Sequence, residues 1–312
     1  MVGLAPKFQD LSGIHAVLYA LFDKNQKIDF HAMQAQAQLM LDAKVHGVTV
    51  LGLATEVQKL SVLERLEIIS TIAQEVVGRV PFSVTISGNS VAEQREVAIH
   101  AITHGANCLI LQPPSVGSFP GSEYIDFFLR VTDGLQGRFA IQNAPQYLGH
   151  SLSNTDILKL RSANEGFSVI KAECSSVELA QFISSTGPDL TVLNGRGGLE
   201  MTDCLKVGVS GFILAPEILD HAQKVYRLWH SGEKQAALKV HAHALPAIIF
   251  VMQSIEHLTC YGKRLFGLRA NFKIYDRGPC LRPTKIGLEL TKNWAQWLGR
   301  FDAGSAVMNP SE

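Results

Sequence analysis

The chain has 312 residues, 46% of them hydrophobic and 18% charged, with 28 basic side chains balancing 28 acidic ones. That balance lacks the electrostatic footprint of a nucleic-acid or anionic-membrane binder, and the hydrophobic share is enough for a large core. The longest strongly apolar stretch, 245–254, falls short of the ~20 residues that span a bilayer, and residues 1–13 lack the pattern of a cleavable leader.

Short apolar runs alternate with amphipathic helical segments. Strands are expected at 16–22, 47–53, 81–87, 107–112, 138–143, 167–173, 189–194 and 211–215. Asp29 marks the start of the first helix. Ser61-Val62-Leu63-Glu64 and Ser90-Val91-Ala92-Glu93 have the spacing of capping boxes and open the next two. Gly47, Gly78 and Gly105 are placed to end helices. Eight β/α units with strands rich in Val, Ile and Leu predict a parallel sheet closed into a TIM (β/α)8 barrel. A doubly wound open sheet is the alternative, but no G-x-G-x-x-G opens the chain. The organisation expected is a barrel over 1–225, an appended C-terminal helical segment over 226–302 packed on the barrel or on a neighbouring subunit, and a frayed tail over 303–312.

Five cysteines (Cys108, Cys174, Cys204, Cys260, Cys280), odd in number and without C-x-x-C, fit reduced thiols in a cytoplasmic protein better than a disulfide framework. None of the eleven histidines pairs at metal-ligand spacing, so no metal site is expected.

Lys171 stands out because it sits inside an apolar strand run, Phe167-Ser168-Val169-Ile170-Lys171-Ala172-Glu173. An ammonium is costly there, and the neutral amine that burial favours is the nucleophile for imine formation with a ketone. Glu173, two residues on, shares its strand face and supplies a proton-transfer group. The competing reading is a strand-end lysine reaching solvent or a structural ion pair. A barrel carries its active site at the C-terminal ends of its strands. Those ends hold Thr55, Glu56, Ser87, residues 113–115, Gln142, Asn143, Lys171, Glu173, residues 194–198 and Ile213.

Several of these landmarks resemble the dihydrodipicolinate synthase and N-acetylneuraminate lyase family of Schiff-base aldolases. Leu51-Gly52-Leu53-Ala54-Thr55-Glu56, followed by Leu60-Ser61-Val62-Leu63-Glu64-Arg65, is similar to the family's G-T-T-G-E segment and the helix start after it. Asn143-Ala144-Pro145 resembles its N-V-P, and Val169-Ile170-Lys171 the strand that carries the imine lysine. The departures are specific. The threonine pair that holds the keto acid's carboxylate reads Leu53-Ala54, the tyrosine before N-V-P is Gln142, and the T-P-Y-Y segment reads Gln112-Pro113-Pro114-Ser115. An amide cannot exchange a proton as a phenol does, which argues against dihydrodipicolinate synthase activity and standard sialic acid cleavage. The L-2-keto-3-deoxyarabonate dehydratase branch is nearer in pattern, through Lys171-Ala172-Glu173-Cys174, Thr55-Glu56-Val57 and Gly267-Leu268-Arg269-Ala270.

The resemblance implies a lyase that forms an imine between Lys171 and a 2-keto acid and needs no cofactor. Glu173 then takes a proton from C3 and the C4 hydroxyl leaves, a dehydration of a 2-keto-3-deoxy sugar acid. Thr55 would bind the carboxylate or assist the hydroxyl, or else make a local backbone hydrogen bond. Gln142 and Asn143 are the expected polar groups of the pocket, with Leu53 and Ala54 in the place of the threonine pair. Asn194 and Gly195, with the rest of the glycine-rich turn to Gly198, could wrap a polar tail, with Arg196 as an anion partner. Ile213 would abut the keto acid, and Ser87 lies further out. The alternatives are an aldolase using water or Glu173 as its base, and a non-catalytic ligand-binding relative. A homo-oligomer is expected, a dimer or the tetramer that is the family's habit.

Overall fold

The structure, a computed structural model of the chain, describes residues 10–187 and 189–303. Eight parallel strands close in sequence order into a barrel: β1 (Gly13–Val17), β2 (Gly47–Val50), β3 (Phe82–Ile86), β4 (Cys108–Leu111), β5 (Arg138–Asn143), β6 (Phe167–Ala172), β7 (Thr191–Asn194) and β8 (Gly211–Leu214). The helices lie outside it, and one continuous apolar core joins the two layers. This is the TIM barrel expected. The open-sheet alternative falls because β8 pairs with β1, from Gly13 opposite Gly211 to Ala16 opposite Leu214.

Two strand predictions ran too far along the chain. The first strand is Gly13–Val17, whereas residues 18–22, although buried, leave the ladder. There the Gln36 amide takes over, accepting from Tyr19 N–H and donating to Tyr19 C=O at 3.0 and 2.9 Å. The second strand ends at Val50 because Leu51 turns into the left-handed region (φ 61°), placing Leu53–Thr55 in a 3-10 turn. A buried loop and a buried strand carry the same apolar signature, so the run length misled.

The helix starts are local chemistry and most hold. Asp29 accepts from Ala32 N–H, and Ser61 with Glu64 forms the full capping box. At Ser90 only half the box forms. Ser90 accepts from Glu93 N–H, but the Glu93 carboxylate bonds Asn89 N–H and Arg65 instead of reaching back. Gly78 and Gly105 follow helix ends with positive φ. Gly47 does not; it opens β2, and its missing side chain makes room for the buried His15 ring, which a Cβ would meet at 2.2 Å.

Helix Leu219–His230 completes the eighth β/α unit, and helices Lys234–Val251, Lys263–Ala270 and Lys285–Leu298 pack onto the barrel. Buried ionic contacts fix this segment. The Arg269 guanidinium grips Asp220 at 2.5 Å and the Glu217 carbonyl at 2.6 Å. Burial alone would raise Asp220, but hydrogen bonds from His221 and Arg269 outweigh it and hold the carboxyl far below its usual range. Lys263, fully buried, bonds the Ala20 carbonyl and pairs with Glu56, which also pairs with Lys59. The expected tail falls, from residue 304 on, outside the described residues, as do residues 1–9 of the stretch read as leaderless. Among the described residues no single helix is long and apolar enough to cross a membrane.

Glu217 is fully buried and accepts from the Tyr19 hydroxyl at 2.6 Å. Burial pushes its carboxyl up to about 6 despite that bond. A carboxyl raised on folding contributes stability that is present below about 4.5 and is lost as pH rises through about 6. Glu217→Gln keeps the acceptor and removes the charge. Urea titrations from pH 4.5 to 7.5 should show the variant gaining on the native protein by about 2 kcal/mol across that window; a constant difference would contradict the assignment.

Candidate functional site

Strand register brings the central groups together. Gln142 on β5 lies opposite Lys171 on β6, and Lys171 opposite Leu193 on β7. Lys171 Nζ is 2.7 Å from Glu173 Oε1, and both side chains are buried. The Glu173 backbone N–H bonds Asn143 C=O at 2.9 Å, which extends the β5–β6 ladder one residue past the strand. Gln142 Nε2 donates to the same Glu173 oxygen at 2.7 Å, and Gln142 Oε1 accepts from Gln112 Nε2 at 2.8 Å. Two amides thus hold the carboxylate from one side and the lysine from the other. Gly195 packs against it so closely that a Cβ would sit 2.9 Å from Glu173 Cδ.

The pair opens into a narrow cleft of about 40 Å³. Its walls are Val17 of β1, Leu53 and Ala54 of the turn after β2, residues 195–197 after β7, Ile213 and Ala215 at β8, and Met252, Ile255 and Leu258 of the C-terminal segment. Leu53, Ala54, Gly195 and Ile213 therefore lie where the sequence placed them, around Lys171 and Glu173. Arg196, with a left-handed backbone (φ 53°), also lines the cleft; Glu200 takes its Nη1 at 2.5 Å, and its buried Nε has no protein partner.

Three predicted residues are otherwise engaged, and a fourth lies apart. Thr55 is wholly buried and donates to Leu18 C=O at 2.6 Å, a backbone bond to a distant part of the chain in place of the local one expected, and it does not line the cleft. Asn143 bonds Leu152 N–H and C=O, bracing the loop after β5. Asn194 donates to Ala172 C=O at 2.9 Å and ties the ends of β6 and β7 together. Ser87 lies apart in a small polar cavity of about 90 Å³ with Arg65, Asn89 and Gln112, its hydroxyl without a protein partner.

Sequence reading missed five contributors. Gln112 stood only as the first residue of the altered T-P-Y-Y segment, although equal strand height with Gln142 makes the amide pair. Tyr147, in the short helix Pro145–Leu148, brings a phenol near Arg196 and Glu173. Burial and then the Glu173 charge push it up, while Arg196 pulls it down. Met252, Ile255 and Leu258 read as ordinary core and instead roof the cleft. Among the described residues no group of three or more His, Cys, Asp or Glu side chains gathers as a metal site would require.

The closed barrel holds a buried lysine and its carboxylate at the strand ends, and the chain belongs to the dihydrodipicolinate synthetase family, which residues 10–265 match. It is similar to 4-hydroxy-tetrahydrodipicolinate synthase of Methanopyrus kandleri, 26% identical over 77% of this chain and 80% of that protein. Similarity to N-acetylneuraminate lyase of Escherichia coli is 25% over 60% of this chain and 63% of the other. The fold is shared with 4-hydroxy-tetrahydrodipicolinate synthase of Methylacidiphilum fumariolicum SolV, at TM-score 0.86, 19% identity and coverage of 93% and 96% of the two chains. It is shared also with the Escherichia coli K12 protein YagE in complex with pyruvate, at TM-score 0.84, 21% identity and coverage of 92% and 98%.

The amide relay makes a stability prediction. Gln142→Leu orphans the buried Gln112 amide and should cost about 1–3 kcal/mol in urea denaturation. Gln142→Leu with Gln112→Leu removes both partners and should cost less than the sum of the two single changes. Simple additivity would mean the two amides are not coupled.

Proposed function

We propose that this protein is a lyase that eliminates the C4 hydroxyl of a 3-deoxy-2-keto acid through an imine on Lys171. One observation carries the reading: the buried amine and carboxylate at 2.7 Å, with Gln142 where a phenol would otherwise meet them. Lys171 attacks the C2 carbonyl, and water leaves as the imine forms. Glu173 takes the C3 proton, and the electron pair of that C–H bond moves toward the imine to give an enamine; its return forms the C3–C4 double bond and the imine again as the C4 hydroxyl departs with a proton as water. Water then hydrolyses the imine, releases an unsaturated 2-keto acid and returns Lys171. The electron sink is the imine itself, so no cofactor takes part. The likeness to keto-deoxy-sugar-acid dehydratases supports elimination, since those enzymes too replace the tyrosine before the strand-five proline. The steps themselves require only the carboxylate, the ketone, a C3 hydrogen and a C4 hydroxyl.

Aldol cleavage is the second reading, with water or Glu173 taking the C4 hydroxyl proton that retro-aldol cleavage must remove. The family relationship makes a homo-oligomer part of the proposal, as it does action on a soluble small-molecule acid.

Borohydride reduction in the presence of pyruvate, followed by intact mass and peptide mapping, tests the imine. A stable adduct on Lys171 is expected, and Lys171→Ala should abolish it; no adduct on folded native protein would sink the mechanism and favour a binding barrel. Glu173→Gln should still trap the keto acid but lose about 10²–10⁴ in elimination rate. Loss of trapping and elimination to the same degree would instead give Glu173 a role in forming the imine.

A further inference from the structure

A cavity of about 490 Å³ lies on the outside of the barrel, between helices Leu219–His230 and Lys234–Val251 and the chain after helix Lys285–Leu298. It shares no lining residue with the cleft at Lys171, and its size is that of sites that hold small molecules. Lys224 and Arg227, one helical turn apart, line it from the first helix and Lys239 from the second. Arg300 joins them from the chain after the third. Four cations from three separate elements thus border one space.

The chain as a whole is neutral, with 28 acidic side chains to meet 28 basic ones. Around this cavity they do not meet. Among the described residues the side chains of Lys224, Arg227, Lys239 and Arg300 have no ion-pair or hydrogen-bond partner. Asp220, in the wall, is committed elsewhere: Arg269 holds both of its oxygens, at 2.9 and 2.5 Å, and His221 approaches one of them at 3.2 Å. Asp302, which bonds Asp220 through its backbone N–H, is the only other acid among the described lining residues. Like charges gathered in this way repel, so folding gains nothing from the cluster, whereas an anion seated in it would gain from every member. Beside the cations, Val240 and Leu298 and the rings of His221 and His243, stacked 5.8 Å apart at 17°, offer a less polar wall for the rest of a ligand.

We infer that this cavity binds a soluble phosphorylated metabolite, its phosphate groups held by Lys224, Arg227, Lys239 and Arg300. A phosphate group carries about −1.5 to −2 charges at neutral pH and three strong acceptor oxygens, so two such groups match four cations where one carboxylate would leave most of them unanswered. The two guanidinium forks suit phosphate oxygens in pairs. Helix Lys234–Val251, which bears Lys239, ends at Met252 in the roof of the cleft, and Asp220 anchors Arg269 of the same C-terminal segment. The site thus adjoins the elements that cover the cleft without being part of it. The inference does not rest on the imine reading.

The test is equilibrium dialysis of the full chain against labelled pyrophosphate, ADP, adenosine and citrate at physiological salt. Pyrophosphate and ADP should bind saturably at one site per chain, citrate more weakly because its charges are more widely spaced, and adenosine not at all. Lys224→Gln with Arg227→Gln, and separately Lys239→Gln with Arg300→Gln, should each raise the pyrophosphate Kd about tenfold or more. All four positions are exposed, so both variants should fold, and an unchanged melting temperature without ligand checks this. Lys24→Gln with Lys285→Gln removes the same charge from exposed positions outside the cavity and should leave the Kd within about twofold. Absence of saturable binding by both pyrophosphate and ADP would overturn the inference. Equal weakening by the control pair would do so too, since it would reduce the effect to general attraction, and citrate binding as tightly as pyrophosphate would overturn the phosphate assignment.

Discussion

The chemistry proposed for this protein depends on keeping an amine and a carboxylate together in a place where water hardly reaches. A buried ion pair is costly unless its remaining lone pairs and protons find partners. Here Glu173 accepts from Lys171 and Gln142 through one oxygen, and Gln142 is fixed in turn by Gln112. The arrangement needs three neighbouring strands in register. It also needs Gly195, because any side chain there would collide with the carboxylate. The barrel's closure and the pair's geometry are thus one constraint seen at two scales.

The C-terminal segment belongs to the site as much as to the scaffold. Arg269 and Lys263 anchor it by buried ionic contacts to Asp220, after β8, and Glu56, in the turn after β2. That anchoring brings Met252, Ile255 and Leu258 over the cleft. The Glu56 retained from the family's G-T-T-G-E pattern serves here as the receiver of two lysines. It holds the β2 loop, and with it Leu53 and Ala54, against the helices.

What could be read from the sequence followed the range of the forces involved. Lys171 was conspicuous because a cation inside an apolar strand contradicts its surroundings, and Glu173 followed from strand alternation alone. The caps at Asp29 and Ser61 depend on residues three apart and were equally visible. Strand ends were not, because Leu51 turns the chain with the same apolar character it would have in a strand. Thr55, Asn143 and Asn194 were correctly placed near strand ends, yet their partners, Leu18, Leu152 and Ala172, could be known only from the fold. Tyr147 and Gln112 were missed for the same reason. Each acquires its setting from residues on other strands or loops, and an isolated tyrosine or glutamine gives no sign of it.

The central claim is that Lys171 and Glu173 act as one unit, the amine capturing the ketone and the carboxylate moving the C3 proton. Proton NMR of pyruvate in deuterated buffer reads that unit without knowledge of the physiological substrate. The account predicts that the native protein replaces the methyl protons with deuterium and that Glu173→Gln slows this by about 10²–10⁴ while still forming the Lys171 adduct. Retention of the methyl protons by a native protein that does trap pyruvate would contradict it.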